Sequence, residues 1–381
     1  RRGLKLMPST NNKFYIGLMS GTSLDGIDGV IALFEDHACS IQQARIDPYP
    51  DFVRDELSTI IHQPGLIDID RLGTMGVHLA RLNAETVAKL LEAAGLDADN
   101  IQAIGCHGQT VRHSPTGDQP FSMQLLNPGV LAAATNIAVV NDFRSADIAL
   151  GGEGAPLASG FHQWLFQTAD EIRAAVNIGG IANVTLLATN RDTLGFDTGP
   201  GNTLLDSWIK RHQGKPYDAA GKWAASVDSH NGLLQHLLRD PYFQKAAPKS
   251  TGREYFNADW LDAQLATFGE TVDPAVVQST LAQLTAHSIA DSLRESDVGT
   301  AAVCGGGAHN ENLMQRLQQL LPEVRLTTTD HWGLDPDLVE AAAFAWLAHA
   351  RLNNLSGNVP SVTGARKSAV LGSLHLPPPG T

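Results

Sequence analysis

Two observations place the chain in the α/β class. Apolar runs of strand length alternate with amphipathic stretches of helical period along nearly all of the 381 residues. A unit of strand, glycine-rich turn and strand also opens at Phe14 and again at Ala174. A chain of this length holds about two domains, and the recurrence makes two lobes with a binding cleft between them the economical architecture. The expected division is a first lobe over 14–148 plus about 360–381 and a second over 149–359, with 1–13 a disordered or extraneous tail.

Phe14 to Phe34 is apolar, then glycine-rich, then alternating, which predicts strand, turn and strand. Leu72, Met75, Leu79, Leu82, Val87, Leu90 and Leu91 recur at helical spacing, and Gly95 stands where such a helix ends. Ile101 to Cys106 and Ile137 to Asn141 are short buried strands ending in polar residues. The second half begins near Leu150 to Pro156 and continues with strands at Ala174 to Ile178, Val184 to Leu187 and Leu194 to Asp197. Helices follow over Asn202 to His212 and Val276 to Arg294, strands over Thr300 to Cys304 and Val324 to Thr327, and a last helix over Leu338 to Leu352.

Hydrophobic residues make up 43% of the chain and charged residues 18%, enough to fill a large core. Lys and Arg number 27 against 40 Asp and Glu, a net charge of −13 with no basic cluster, which argues against a nucleic-acid or anionic-membrane binder. Cys39, Cys106 and Cys304 are odd in number and far apart, fitting neither a disulfide framework nor a zinc set, so a reducing cytoplasm is expected. The basic start lacks an apolar run behind it and does not read as a secretory signal. No window approaches the roughly 18 apolar residues of a membrane span.

Four glycine-rich strand ends carry the chemistry. The first is Gly21-Thr22-Ser23-Leu24-Asp25-Gly26-Ile27-Asp28. It lacks the Gly-Lys-Ser/Thr of a P-loop, and a strand rather than a helix follows it, so it is not a dinucleotide fingerprint. Its small residues, amides and hydroxyls suit phosphate oxygens, and Asp25 suits Mg²⁺. An ordinary Gly/Asp hairpin has the same composition. The second, Asn177-Ile178-Gly179-Gly180-Ile181-Ala182-Asn183, again joins two strands. The third runs from Gly195 to Asn202 and puts Asp197 at a strand end, where a carboxylate can take a proton from a nucleophile; a turn or N-cap role is the alternative. The fourth, Cys304-Gly305-Gly306-Gly307-Ala308-His309-Asn310, leads from strand to helix and lets backbone lie flat on a planar or phosphorylated ligand.

Paired phosphate hairpins with a later glycine turn resemble the actin, sugar-kinase and Hsp70-like ATPase superfamily. Within it, LMSGTSLDGID, GCHGQTVRH, NDFRSADIALGGEGAPL, NIGGIANVT, FDTGPGN, PKSTGRE and VCGGGAHN, in that order, resemble the anhydro-N-acetylmuramic acid kinase family from about Tyr15 to the end of the chain. The resemblance implies a two-lobed actin-like ATPase fold, ribonuclease H-like in each lobe, with the active site in the interlobe cleft. It implies an ATP- and Mg²⁺-dependent enzyme that opens the 1,6-anhydro ring of 1,6-anhydro-N-acetylmuramic acid with water and phosphorylates O6. The products would be N-acetylmuramate 6-phosphate and ADP, within peptidoglycan recycling and amino-sugar catabolism.

On the matching positions, Asp197 would be the base for the water attacking C1. Gly21 to Asp28, with Asn177, Gly179 and Gly180, would hold phosphates, Asp25 the metal, and Gly305, Gly306, Gly307 and Asn310 the nucleotide. For the sugar, Arg144 is the first candidate for its lactyl carboxylate. His107, Asp142, Gly199, Asn202 and Glu340 are further candidates, and Arg112 and His113 are weighed against structural roles. Lys249 to Arg253 is a loop that approaches either substrate or the other lobe. Neither nucleic acid nor membrane is an expected partner, and a homodimer is an assembly the chain allows.

Three rivals are weaker. A glycosidase using Asp142 and Asp147 has no need of three nucleotide or phosphate turns. An Hsp70- or actin-like module would need a peptide-binding domain or filament contacts. A sugar-sensing repressor would need a helix-turn-helix and a basic balance.

Overall fold

The computed structural model describes residues 14–378 except 22, 23, 64, 66, 248 and 295. The 1–13 tail, Thr22 and Ser23 therefore lie outside the described residues. In chain order the elements are β1 (Phe14–Met19), β2 (Gly26–Glu35), β3 (Ala38–Pro48), α1 (Asp51–His62), α2 (Ile69–Ala94), β4 (Ile101–Cys106), β5 (Gln109–Ser114), β6 (Phe121–Leu125), α3 (Pro128–Thr135), β7 (Val139–Asn141), α4 (Ser145–Ala149) and α5 (Ala158–Phe166). Then come β8 (Arg173–Ile178), β9 (Ile181–Leu187), β10 (Leu194–Pro200), α6 (Thr203–Gln213), α7 (Asn231–Leu237), α8 (Ala258–Phe268) and α9 (Pro274–Arg294). The chain closes with β11 (Thr300–Cys304), α10 (Glu311–Leu320), β12 (Arg325–Thr328), α11 (Val339–Leu352), α12 (Pro360–Thr363) and β13 (Ser373–His375).

The chain divides into two compact units, one up to Phe161 and from Glu340 onward, the other His162–Val339. The sheet of the first unit has the order β13-β7-β4-β1-β2-β3, and that of the second β10-β9-β8-β11-β12. In both, three consecutive strands form an antiparallel meander (β1-β2-β3, β8-β9-β10). Two crossovers then add parallel strands beside the first of them (β4 and β7, β11 and β12). The same ribonuclease H-like order in each unit gives the two-lobed α/β fold that the resemblance implied.

The division differs from the expected bounds of 148/149 and 359/360: the 150–160 stretch is tied to the C-terminal segment by Glu153 N to the Thr363 carbonyl and Arg366 N to the Leu150 carbonyl, and α11 belongs to the first unit. For α11 the cause is a pair of glycines. Gly17 on β1 and Gly105 on β4 are partners in the parallel register. A Cβ on either would stand 1.8 Å from the Ala341 carbonyl oxygen or 1.9 Å from that of Phe344, so α11 lies directly on bare backbone.

Each unit has its own core. Ile16, Leu18, Ile31, Val53, Leu79, Leu90, Ile104 and Leu131 fill the first. Val176, Val184, Phe196, Ile289, Val303 and Leu313 fill the second, with a further cluster under α6 to α9 around Leu204, Leu233 and Leu281. The α2 helix starts on Asp68, whose carboxylate caps Arg71 N, and ends on Gly95 at φ 64°. The polar edge strand β3 and the β5-β6 hairpin escape the periodicity of the sequence, while α1, whose buried Val53, Leu57 and Ile60 recur at helical spacing, is an element not among those expected.

Candidate functional site

In the first unit the turn between β1 and β2 is held from below. Ser20 Oγ donates to the Gly108 carbonyl at 2.9 Å, and the fully buried Gln109 donates from Nε2 to the Gly21 carbonyl at 3.1 Å. Leu24 sits at φ 61°, a conformation side chains of its type seldom adopt. Asp25 is exposed, its carbonyl taken by Tyr49 N at 3.0 Å, while Asp28, in β2, is half-buried.

Beside this turn, β4 and β7 end in the other candidates. Arg144 donates from Nη1 to the Gly154 carbonyl at 2.7 Å and from Nη2 to His107 Nε2 at 2.8 Å. Burial, opposed by the charges of Glu340 and Asp147, lowers the guanidinium to about 10, so it stays cationic at neutral pH. His107 is 5% exposed and is pushed down to about 3 by burial and then by the Arg144 charge, which keeps its ring neutral.

Glu340, at the start of α11, is raised by burial and by Asp28 and held back by Arg144. The glycine pair under α11 thus brings Glu340, Asp28, Arg144 and His107 together. Asp142 stands just before them at φ 53° and accepts from Ser145 Oγ at 2.6 Å. Arg112 instead donates to the Ile61 carbonyl at 2.9 Å, tying β5 to α1. His113 is exposed and pairs with Ser122 Oγ at 2.9 Å across the hairpin.

Asp147 does not form a strand-end pair with Asp142. It is fully buried in α4 and accepts from Asn358 Nδ2 at 2.6 Å, Thr363 Oγ1 at 2.7 Å and Gly154 N at 2.8 Å. A carboxylate buried with three donors fastens loops, a structural role that leaves it turned away from solvent.

In the second unit, the turn after β8 and the turn after β10 are laced together. The Gly179 carbonyl accepts from Asn202 N at 2.8 Å, and the Gly180 carbonyl from Gly201 N at 2.9 Å and Thr203 N at 3.1 Å. Asn202 adds a side-chain bond from Nδ2 to the Ile178 carbonyl at 3.1 Å. Asp197 lies opposite Asn183 in the ladder, immediately before a bulge that ends at Gly199, where φ is 152°. The bulge breaks the alternation and turns the chain end toward the paired turns.

The loop at 249–253, whose place the sequence left open, lies against this site. Thr251 N donates to Asp197 Oδ2 at 3.0 Å, the Lys249 carbonyl accepts from Asp197 N at 3.0 Å, and the Tyr242 hydroxyl donates to the Asp197 carbonyl at 2.7 Å.

The fourth turn lies against the first of this unit. Gly305 has φ 76°, and a Cβ there would be 2.4 Å from Asn177 Oδ1, a buried atom with no hydrogen-bond partner among the described residues. Gly307 packs on Ile178, while Gly306 is open apart from Asn202. Asn310 spends its side-chain oxygen on the N-cap of α10, accepting from Leu313 N at 3.0 Å, and lies against Gly221. The 218–224 segment beside it, fastened by Asp218 to Trp223 N and Ala224 N at 2.9 Å each, carried no signal in the sequence.

Residues 13–377 match the family model described as anhydro-N-acetylmuramic acid kinase. The chain belongs to the anhydro-N-acetylmuramic acid kinase family. It is similar to the anhydro-N-acetylmuramic acid kinase of Shewanella halifaxensis, at 49% identity over 367 residues, covering 96% of this chain and 99% of the relative. The enzyme of Thiobacillus denitrificans is 48% identical over 375 residues, 98% of this chain and 100% of its own length. That of Pasteurella multocida is 46% identical over 365 residues, 95% and 96% of the two chains. As a member of the anhydro-N-acetylmuramic acid kinase family, the chain is a phosphotransferase with an alcohol group as acceptor. Among the described residues no helix is long and apolar enough to cross a membrane.

Proposed function

We propose that this kinase acts on 1,6-anhydro-N-acetylmuramic acid and joins hydrolysis of the anhydro bridge to phosphorylation of O6, as a cytoplasmic step in the reuse of cell-wall sugars. The observation that carries the reading is the setting of Asp197: not at the strand end the sequence suggested but in the middle of β10, just before its bulge, with Oδ2 fixed by Thr251 N and the laced glycine turns beyond. A carboxylate has an ordinary pKa of about 3.9 and is a weak base, so fixed orientation is what makes it useful.

In this mechanism Asp197 accepts a proton from water as the water oxygen bonds to C1. The C1–O6 bond breaks, and O6 carries its electron pair to the γ-phosphorus. The bond from phosphorus to the bridging β-oxygen breaks in turn, releasing ADP. The departing O6 alkoxide is already a strong nucleophile and needs no second base.

Gly21 to Asp28 and the Gly179–Gly180 turn hold phosphate oxygens, and Gly305 to Gly307 with Asn310 flank the nucleoside. Arg144, held by His107, binds the lactyl carboxylate, with Glu340 and Asp142 on sugar hydroxyls. Among the described residues no three His, Cys, Asp or Glu cluster into a metal cage. Mg²⁺ is carried largely on substrate phosphates and water with one or two carboxylates, and the exposed Asp25 beside the turn can supply one. Asp25 would hold it, with Asp28 three residues on in β2, and the ion would neutralise charge on the transferring phosphoryl group.

The test is turnover with ATP, Mg²⁺ and the anhydro sugar in ¹⁸O-water. Label at C1 of a 6-phosphorylated product is expected; label in inorganic phosphate alone would end the proposal. Asp197→Asn should abolish turnover, by a factor of about 10² to 10⁴, while nucleotide binding persists.

A further inference from the structure

The loop at 249–253 carries a cation that the mechanism above leaves unused. A Cβ built on Gly180 would fall 2.5 Å from Arg253 Nη2, 2.6 Å from Nε and 2.9 Å from Cζ. The guanidinium is therefore laid against the bare backbone of Gly180, in the space any side chain there would fill. Two residues earlier in the same loop, Thr251 N holds Asp197 Oδ2. The Gly180 carbonyl in turn accepts from Gly201 and Thr203. One loop thus puts a planar, permanently charged donor on the glycine turn and a hydrogen bond on the carboxylate.

We propose that Arg253 is a catalytic residue of the phosphoryl transfer, its guanidinium contacting the γ-phosphoryl oxygens. This rests on reading Gly179–Gly180 as a phosphate turn. Arg253 neutralises the charge that spreads over those oxygens while the bond to the β-bridging oxygen lengthens and the bond to sugar O6 forms. The side chain neither gives nor takes a proton, since guanidinium stays protonated in proteins. Its five donors in a rigid fork match a phosphoryl group better than the point charge of a lysine. Placing it in the loop that orients Asp197 would link the seating of phosphate to the orientation of the base.

The test compares wild type, Arg253→Ala, Arg253→Lys and Asp197→Asn by steady-state kinetics with ATP and the anhydro sugar, with and without added guanidinium chloride at low millimolar concentration. Arg253→Ala should lower kcat by about a hundredfold or more, with KM for ATP changed by less than about threefold. Arg253→Lys should recover only part of the loss. Guanidinium should restore part of the rate of Arg253→Ala and none of that of Asp197→Asn.

The side chain is half-buried, so thermal unfolding of each variant is measured beside its kinetics. The proposal is overturned if Arg253→Ala keeps kcat within about threefold of wild type. It is also overturned if the loss falls only on KM for the sugar, which would move the cation to the acceptor carboxylate, or if a loss unrescued by guanidinium accompanies a lowered Tm. Failure of the underlying reading looks different: wild type itself would then transfer no phosphate to the sugar.

Discussion

Arg144 Nη2 donates to His107 Nε2 across 2.8 Å, which settles the tautomer of the histidine. A ring nitrogen that accepts carries no proton, so His107 holds its proton on Nδ1. With Nη1 on the Gly154 carbonyl at 2.7 Å, the guanidinium is fixed at two points while its charge remains available to an anion.

Replacing Arg144 by Lys keeps a charge but cannot span both acceptors. KM for the lactyl-bearing sugar should rise about tenfold or more, the cost of roughly 1.4 kcal/mol in binding. The control is a 1,6-anhydro amino sugar without the lactyl group, for which the penalty should shrink. An equal penalty on both substrates would detach Arg144 from the carboxylate.

Stability should depend on pH through His107. Its folded value of about 3 lies below the ordinary value of 6.5, so the unfolded chain takes up the proton first. Stability is then full above about 6.5 and declines as pH falls toward 3. His162, buried and lowered to about 4, acts with the same sign. Glu340 is raised, so its contribution is present at low pH and lost as pH rises through its folded pKa. Tm measured from pH 7 to 5 should fall, and His107→Gln, which preserves an acceptor for Arg144, should flatten the decline. An unchanged slope in that variant would remove His107 as the source.

Gly17→Ala and Gly105→Ala should each cost about 1–3 kcal/mol, because the added methyl meets backbone of α11 that has no rotamer to change. The denaturant midpoint should drop with m unchanged. Gly73→Ala, in α2 where no described residue outside the helix's own backbone comes within 4 Å of the new methyl, should instead stabilise by about 0.5–1 kcal/mol.

Asp147→Ala leaves the partners at Gly154, Asn358 and Thr363 without an acceptor in a buried site. A loss of about 3 kcal/mol or more is expected in urea unfolding. Below the lowered Tm, kcat should stay within about threefold of wild type, whereas a glycosidase-type acid at this position would lose nearly all activity.

Much was legible without coordinates. The bounds of β4 and β11 follow from apolar runs closed by polar or glycine residues, and the end of α2 from Gly95. The edge strand β3 was not legible, because its exposed face lets polar residues such as Gln42 and Gln43 fill a strand. At the site, Arg144 and Gly305 were visible through residue types that suit their chemistry just past strand ends, and Asp197 through its glycine-rich neighbours, although it lies within β10 and not at its end. The places of Tyr242, Thr251 and Arg253 were not. Each reaches the site across a loop and touches it through backbone atoms or a bare glycine, and such contacts leave no periodic trace.

The sequence alone determines the α/β class, the twofold recurrence of the strand–turn–strand unit and the family, because local periodicity, turn chemistry and ordered motifs are written in consecutive residues. Tertiary structure decides which unit α11 joins, that Asp147 is a fastener, and which groups flank Asp197. Those outcomes depend on approach distances between residues far apart in the chain, as where Gly17 and Gly105 leave room for α11 to bring Glu340 beside Arg144.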